Sequence, residues 1–278
     1  MTTQGVQRTF AQLRQHYETE KELATRLRTS SREERASLYG TVYEELFRRV
    51  PGHPQLTRGQ TPDAVRLLVA SKMRLLRPFL NPTTVFLELG AGDCQLAVAA
   101  AGYVRQVYAL DVTPAVMNGL QKPPNFALII SGGTDIPLPP GSVDVAYSYQ
   151  LMEHIHPDDA RDQLSNLYAA LAPGGRYICI TPNRLSGPHD ISRYFDPVAT
   201  GFHLREYTIT ELARLFRVAG FKRVLSYPGI RGHFLAAPIL PVSALELMIG
   251  ALPQGLQRSV ASVPLVRNLL LAAVMGVK

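Results

Sequence analysis

The stretch VFLELGAGDC, residues 85–94, sets two carboxylates around a glycine turn: Glu88 just before it and Asp93 just inside it, with Gly90 and Gly92 between. Glycines after an apolar run let a ligand approach the backbone closely. A pyrophosphate site would need a third glycine at position 95, which is Gln95, and paired carboxylates would repel the phosphates. The same carboxylates attract a cation, so the turn suits a ligand with an ammonium or sulfonium group and no phosphate. Asp111 closes the run QVYALD, with Val112 beside it. A carboxylate there can accept hydrogen bonds from both hydroxyls of a ribose. Asp135, in GGTDIPLPP, suits an adenine amino group, with the backbone N–H of Ile136 reading a ring nitrogen. Singly, each of these is also what a turn or a helix cap would use. As an ordered set they point to a nucleoside-type ligand, and S-adenosylmethionine combines the ammonium, the sulfonium, the ribose and the adenine.

A second group follows in QLMEHIHP. His154 is the candidate general base, because histidine titrates near neutral pH; the competing reading is that Glu153 and His154 only cap and orient the loop. Gln150 and Leu151 suit the methionine part of the ligand, and His156 suits a helix start. A third group spans PNRLSGPHDISRYFDP and GFHLREYT and supplies Asn183, Arg184, His189, Asp190, Arg193, Tyr194, His203, Arg205 and Glu206. Long polar loops of this kind are often functional. They are read here as a polar acceptor site or as a structural lid. The spacing matches no standard zinc pattern, and magnesium would prefer more carboxylates, so no metal is expected.

These residues need elements to carry them. TVFLEL, QVYALD, FALIISG, VDVAYSY and RYICITP read as strands, and the alanine-rich 93–102 and the stretch 158–172 read as helices between them. Strands alternating with helices imply a mostly parallel sheet covered on both faces. The three acids then stand at three successive strand ends, along the edge where ligands bind in open α/β sheets. TITELARLFRVAGF reads as a further helix, and KRVLSYPG and HFLAAP as a closing antiparallel pair. Before the sheet lie helical stretches, one opened by Ser30 or Ser31 with Glu33 or Glu34 three residues on. Residues 1–80 are read as a helical cap, 81–238 as the ligand-binding domain, and 239–278 as an apolar helical tail cut by prolines. Tyr17, Tyr39 and Arg58 of the cap are expected to approach the acceptor.

At 46% hydrophobic and 18% charged residues the chain can build a packed core rather than a disordered coil. The net charge of +7 is spread over both flanks, while the centre is slightly acidic. No basic stripe interleaved with aromatics marks a nucleic-acid surface, so no nucleic-acid partner is expected. The two cysteines, Cys94 and Cys179, lie in apolar contexts and read as reduced thiols of a cytoplasmic protein. No secretory signal or spanning helix is expected. The tail is the exception to a plain soluble surface: it is read as packing on the core or on a second subunit, with peripheral contact to a membrane as the sharper alternative.

Taken together, VFLELGAGDC, VYALDVTP, GGTDIPLPPGSVDVAYSYQLMEHI and LAPGGRYICITPN resemble the class I S-adenosylmethionine-dependent methyltransferases, in particular the branch of ubiquinone-biosynthesis and sugar O-methyltransferases. The resemblance covers about half the chain. It implies a Rossmann-like seven-stranded sheet ending in an antiparallel pair, with cofactor roles for Glu88, Gly90, Gly92, Asp111, Asp135 and Ile136. One departure is Cys94, where many members have glycine. The expected activity is methyl transfer to a small, hydroxyl-bearing acceptor. N- or C-methylation of a small molecule or lipid precursor, and a non-catalytic nucleoside-binding protein of the same fold, are the alternatives.

Overall fold

A computed structural model of the chain describes residues 8–53, 61–113, 121–230 and 233–278. It opens with two helices, α1 (Phe10–Thr29) and α2 (Arg32–Arg49), each started by a capping box: Thr9 with Gln12, and Ser31 with Glu34. In each box the cap hydroxyl accepts a backbone N–H while the third residue's side chain answers the cap's own N–H, so two otherwise unpaired donors are satisfied. Helix α3 (Pro62–Leu76) leads to strand β1 (Val85–Leu89), all five of whose residues are buried. Then follow α4 (Gln95–Ala101), β2 (Gln106–Asp111), β3 (Phe126–Ile130), β4 (Val143–Tyr149), α5 (Pro157–Ala170), β5 (Leu171–Thr181), α6 (Ile209–Val218) and β6 (Arg223–Ser226). Short strands β7 (Gly229–Ile230), β8 (His233–Phe234) and β9 (Ala237–Pro238) precede helices α7 (Ile239–Gly250), α8 (Gln254–Ser262) and α9 (Pro264–Leu270), and the chain ends in β10 (Ala272–Val277).

The main sheet runs β3-β2-β1-β4-β5-β10-β6-β9. Strands β3 to β5 are parallel, while β10 lies antiparallel between β5 and β6. Alternate residues serve opposite faces, as strand geometry demands. Leu87, Leu89, Ala146, Tyr177, Cys179 and Val274 join the core under α1, α2, α5 and α6. Phe86, Val145, Tyr147, Ile178, Ile180, Ala273 and Met275 join the core under α3 and α4. A sheet buried on both faces explains why its strands read as nearly continuous apolar runs.

Two expectations are corrected here. The sheet has eight strands rather than seven: the expected antiparallel pair is present as β6 with β9, Leu225↔Pro238 and Ser226↔Ala237, and a further reversed strand from residues 272–277 lies between β5 and β6. The stretch AAVMGV does not continue the helical tail: it pairs with β5 from Ala272↔Thr181 to Val277↔Arg176. Gly276 is what lets it in, because a Cβ there would stand 2.5 Å from Phe221 and 2.6 Å from Phe216. The expected boundary at 238 therefore does not separate tail from sheet. The tail is tied in a second way. Glu246, its one acidic residue, is buried and accepts from the backbone N–H groups of Ile209 and Thr210 at 2.7 and 2.9 Å. A carboxylate at the start of α6 neutralises the helix's positive end and two of its unpaired donors.

Candidate functional site

The carboxyl ends of β1, β2, β3 and β4 share one edge of the sheet. After β1 the chain folds back over β2: Gly90 N–H and Ala91 N–H both donate to Leu110 O, at 2.8 and 3.2 Å. Gly90 and Gly92 have φ of +64° and +52°, values at which a side chain would be strained. Open space lies over Gly92, while a Cβ on Gly90 would strike Leu151 at 2.9 Å. Cys94 holds the same left-handed conformation, φ +55°, and is fully buried, so it stands in a glycine's geometry at some cost.

Asp111 is locked by this turn. Its carboxylate accepts from Gly92 N–H at 2.8 Å, from Val112 N–H at 2.8 Å and from Thr113 N–H at 3.3 Å. Glu88 is buried on the face that meets α3, and its Oε2 has no hydrogen-bond partner. Burial raises its pKa, offset in part by Lys72 of α3; burial in turn lowers that of Lys72, whose Nζ lies 4.3 Å from the centre of the Tyr149 ring. A cleft of about 150 Å³ runs between Lys72, Glu88, Gly90, Gly92, Asp93 and Tyr149. A second cleft, about 250 Å³, is lined by Gly132, Thr134 and Asp135 on one side and Arg32, Ala36 and Tyr39 of α2 on the other. Asp135 is exposed and Ile136 buried. Small residues let α2 come this close: Ala36 lies over Gly132, and Gly40 lies over the carbonyl of Val112. Gln150, at φ +56°, is exposed and donates its backbone N–H to Ile180 O.

Past β4 the 3-10 turn Met152–His154 brings two groups to the same edge. Glu153 is fully buried; its Oε2 accepts from Thr181 Oγ1 at 2.7 Å and its Oε1 has no partner. Burial pushes its pKa up to about 7, against the pull of His203. His154 donates Nδ1–H to Phe202 O at 3.0 Å, which leaves Nε2 as a lone pair. Burial, then the neighbouring His203, hold its pKa down to about 3. The His203 ring stands edge-on to that of His154, centroids 4.9 Å apart, and its Nδ1 meets Glu206 Oε1 at 2.7 Å. Burial works against charge on His203, but Glu206 and Glu153 outweigh it and raise its pKa. The expectation that His154 titrates near neutral pH is thus corrected: in this pocket it stays neutral, and Glu153 is the group matched to pH 7.

A chain of contacts from α1 holds the arrangement. Glu20 accepts from Phe202 N–H at 3.3 Å and meets His16 Nε2 at 2.7 Å, while Arg8 donates to His16 Nδ1 at 2.7 Å. Tyr43, not singled out from the sequence, packs its ring 5.0 Å from Phe202 and 6.2 Å from His154. Its only signal is the aromatic row Tyr39, Tyr43, Phe47 at helical spacing.

Several of the polar loop residues do other work. Asn183 donates to Glu246 and to Leu270 O, at 2.9 and 3.0 Å, pinning the tail. Asp190 accepts from the N–H groups of Ser192 and Gly201. His189 braces its own turn, Nε2 lying 3.1 Å from both Asn183 O and Ser186 Oγ. Arg193 and Tyr194 pair with each other on the surface. Arg184 pairs with Glu211 at 3.2 Å and, with His203, Arg205, Glu206 and Arg258, lines a cavity of about 460 Å³. Tyr17 donates to Asp196, and Tyr39 donates to Asp159 while accepting from His156 N–H. Arg58 lies outside the described residues.

An open α/β sheet with an acid-flanked glycine turn after β1 and an acid at the tip of β2 is the arrangement of a nucleoside-binding domain, and the carboxylates beside the turn disfavour a pyrophosphate there. Residues 87–179 match the family described as a methyltransferase domain. The chain is 32% identical over 137 residues, 49% of its length and 51% of the relative's, to a "Probable S-adenosylmethionine-dependent methyltransferase" of Mycolicibacterium smegmatis. It is 33% identical over 136 residues, 49% of its length and 47% of the relative's, to a protein of the same description from Mycobacterium tuberculosis. The chain spans about half the length of the curated relatives it matches. Its fold is shared with a chain of the Haloferax volcanii complex between the Trm112 methyltransferase activator and a methyltransferase: TM-score 0.54, 17% identity, 76% of this chain and 90% of that one. Residues 87–179 thus form a methyltransferase domain of the class I S-adenosylmethionine-dependent kind, whose cofactor is S-adenosylmethionine. The residues present fit it: a buried carboxylate oxygen of Glu88 without a partner faces the turn, and open space lies over Gly92.

Proposed function

We propose that the protein transfers a methyl group from S-adenosylmethionine to a small, hydroxyl-bearing acceptor bound past the end of β4. The cofactor, when bound, supplies a methyl carbon made electrophilic by the sulfonium. Glu88 would face its ammonium, Asp111 its ribose, and Asp135 with the N–H of Ile136 its adenine; Gly90, Gly92, Val112 and Gln150 would line the way between. The observation that carries the acceptor reading is the unpartnered Oε1 of Glu153 beside the free Nε2 of His154. A buried carboxyl with a pKa near 7 can take a hydroxyl proton at neutral pH, and a neutral imidazole can accept the hydroxyl's hydrogen bond and orient it. The basic lining of the adjacent cavity, Arg184, Arg205 and Arg258, suits an acceptor with an acidic substituent. The test is S-adenosylhomocysteine binding by calorimetry, followed by transfer of labelled methyl to matched phenols, alcohols and amines. Labelling confined to amines would overturn the hydroxyl reading; no affinity for S-adenosylhomocysteine would overturn the whole of it.

A further inference from the structure

We propose that Glu153, His154 and His203 form a binding site for one divalent first-row transition-metal ion. One ligand atom from each lies within 4.8 Å of the others, close enough for an ion between them after small side-chain shifts. Two imidazoles and one carboxylate are a donor set that zinc, cobalt, manganese and iron all accept.

What singles out this trio is the shell around it. A histidine ligand needs its other nitrogen held by an acceptor, which fixes the tautomer and turns the lone pair inward. Both histidines meet that condition: His154 Nδ1 is 3.0 Å from Phe202 O, and His203 Nδ1 is 2.7 Å from Glu206 Oε1. The acceptors are themselves held. Glu206 Oε1 also accepts from His189 N–H at 2.7 Å, and the Phe202 N–H is donated to Glu20. The third ligand is anchored by one oxygen, Oε2 on Thr181, and presents the other, buried and without a partner. A proton shared between His203 and Glu153 would use that oxygen, yet no such hydrogen bond forms.

The only other grouping of this kind among the described residues, His16, Glu20 and His53, lacks these features. Both ring nitrogens of His16 are engaged, one by Glu20 and the other by the guanidinium of Arg8 at 2.7 Å, and an arginine at that distance opposes a cation. That grouping is a hydrogen-bond chain.

His203 and Glu206 line the cavity of about 460 Å³, whereas Glu153 and His154 do not, so His203 is the ligand through which the trio borders that cavity. Resting on the function proposed above, the ion's role is to bind the acceptor's hydroxyl oxygen and lower its pKa, the proton leaving to water in the cavity. In the metal-loaded protein His154 and Glu153 act as ligands, and the proton-accepting role of Glu153 belongs to the metal-free protein.

The full-length protein, stripped with a chelator and dialysed, is titrated with Zn²⁺, Co²⁺ and Mn²⁺ separately. Calorimetry should give one ion per chain, thermal unfolding should shift upward, and Co²⁺ should develop visible d–d absorption. Glu153→Gln and His203→Ala should abolish stoichiometric binding. Glu206→Gln, which alters only the outer shell, should weaken it by about 10–100-fold. His16→Ala should leave it unchanged. S-adenosylhomocysteine affinity, measured on the same samples, tests the functional reading separately and reports that each variant is folded. Absence of stoichiometric binding by all three ions in the wild-type chain, or unchanged binding in Glu153→Gln and His203→Ala, overturns the metal site whatever the cofactor result.

Discussion

Glu153 and His154 are neighbours in sequence, and burial drives their proton affinities in opposite directions, the acid up to about 7 and the imidazole down to about 3. Desolvation penalises whichever form is charged, so burial favours the protonated carboxyl of Glu153 and the uncharged ring of His154. If Glu153 takes the acceptor's proton, kcat/KM of the metal-free protein should rise as pH increases through about 7 and level off above it. Glu153→Gln should remove that limb and lower turnover by about 10²–10⁴, and His154→Ala should cost a similar factor, both with little change in cofactor affinity. A pH-independent rate in the wild type would reject this role. The same shift has a stability consequence with a definite sign. The folded-state pKa of Glu153 lies above its ordinary value of 4.5, so its stabilising share is present below pH 4.5 and is lost as pH rises through 7. Glu153→Gln should therefore gain stability relative to wild type between pH 5 and 8, by roughly 3 kcal/mol at most, in urea melts of the metal-free protein. At the other end of the site, Asp111→Ala should weaken S-adenosylhomocysteine by about 1.5–3 kcal/mol, since it removes a charged acceptor of ribose hydroxyls; unchanged calorimetry would remove Asp111 from the cofactor's contacts. That Glu88, Gly90, Gly92 and Asp111 stand at strand ends was legible in the sequence, because that spacing is local. Asn183, His189 and Asp190 could not be sorted that way: a polar loop residue reads the same whether it faces a ligand or satisfies its own backbone.

Helix α2 is the element on which the ligand-bearing edge depends. Its small residues lie on the loops after β2 and β3, and it is fastened at its first turn. Arg35 donates twice to Asp159 of α5, at 2.6 Å each, with both side chains almost wholly buried. Tyr39 donates to the same carboxylate and accepts from His156 N–H, so α2 is also fixed relative to the turn that carries Glu153 and His154. Removing one partner of a buried ion pair leaves the other charge without compensation, at a cost of about 3–5 kcal/mol. Arg35→Ala should show that loss in urea unfolding and should also weaken S-adenosylhomocysteine, because the wall formed by Ala36 and Tyr39 loses its tether. A variant that loses stability yet binds the cofactor normally would show that α2 braces the fold without shaping the site. The start of α2 and its box were readable as Ser30 or Ser31 with Glu33 or Glu34, since capping is a local matter, whereas the box of Thr9 and Gln12 was not singled out. That Arg35 reaches an aspartate 124 residues away has no local signature.

Across the whole molecule the chain closes on itself: its last strand completes the sheet that its middle begins. The stretch AAVMGV was not recognisable as that strand, because a six-residue apolar run after a helix reads equally as more helix. Its pairing with β5 joins residues nearly a hundred positions apart, and no local pattern records that. The consequence is that the tail cannot be a detachable appendage. Truncation after Pro238 would remove β10 from between β5 and β6 and take away Glu246, leaving two strand edges, a buried Asn183 and the start of α6 unpartnered. That truncated chain should be insoluble or unfolded by circular dichroism. The outward side of the tail is a separate matter, for Leu240, Leu247 and Met248 are 79%, 76% and 64% exposed on one helix, and no helix among the described residues is long and apolar enough to cross a membrane. An apolar surface of this kind favours a partner, either a second copy or a lipid surface. Replacing Leu240, Leu247 and Met248 together by Gln should leave the fold intact, since none of the three side chains is buried. The full-length wild type should then run larger than a monomer on gel filtration or co-float with anionic vesicles, and the triple variant should do neither. Flotation that fades at high salt would show that basic side chains contribute to the lipid contact. A wild type that stays monomeric, ignores vesicles and matches the triple variant in both assays would show that the exposed row has no partner.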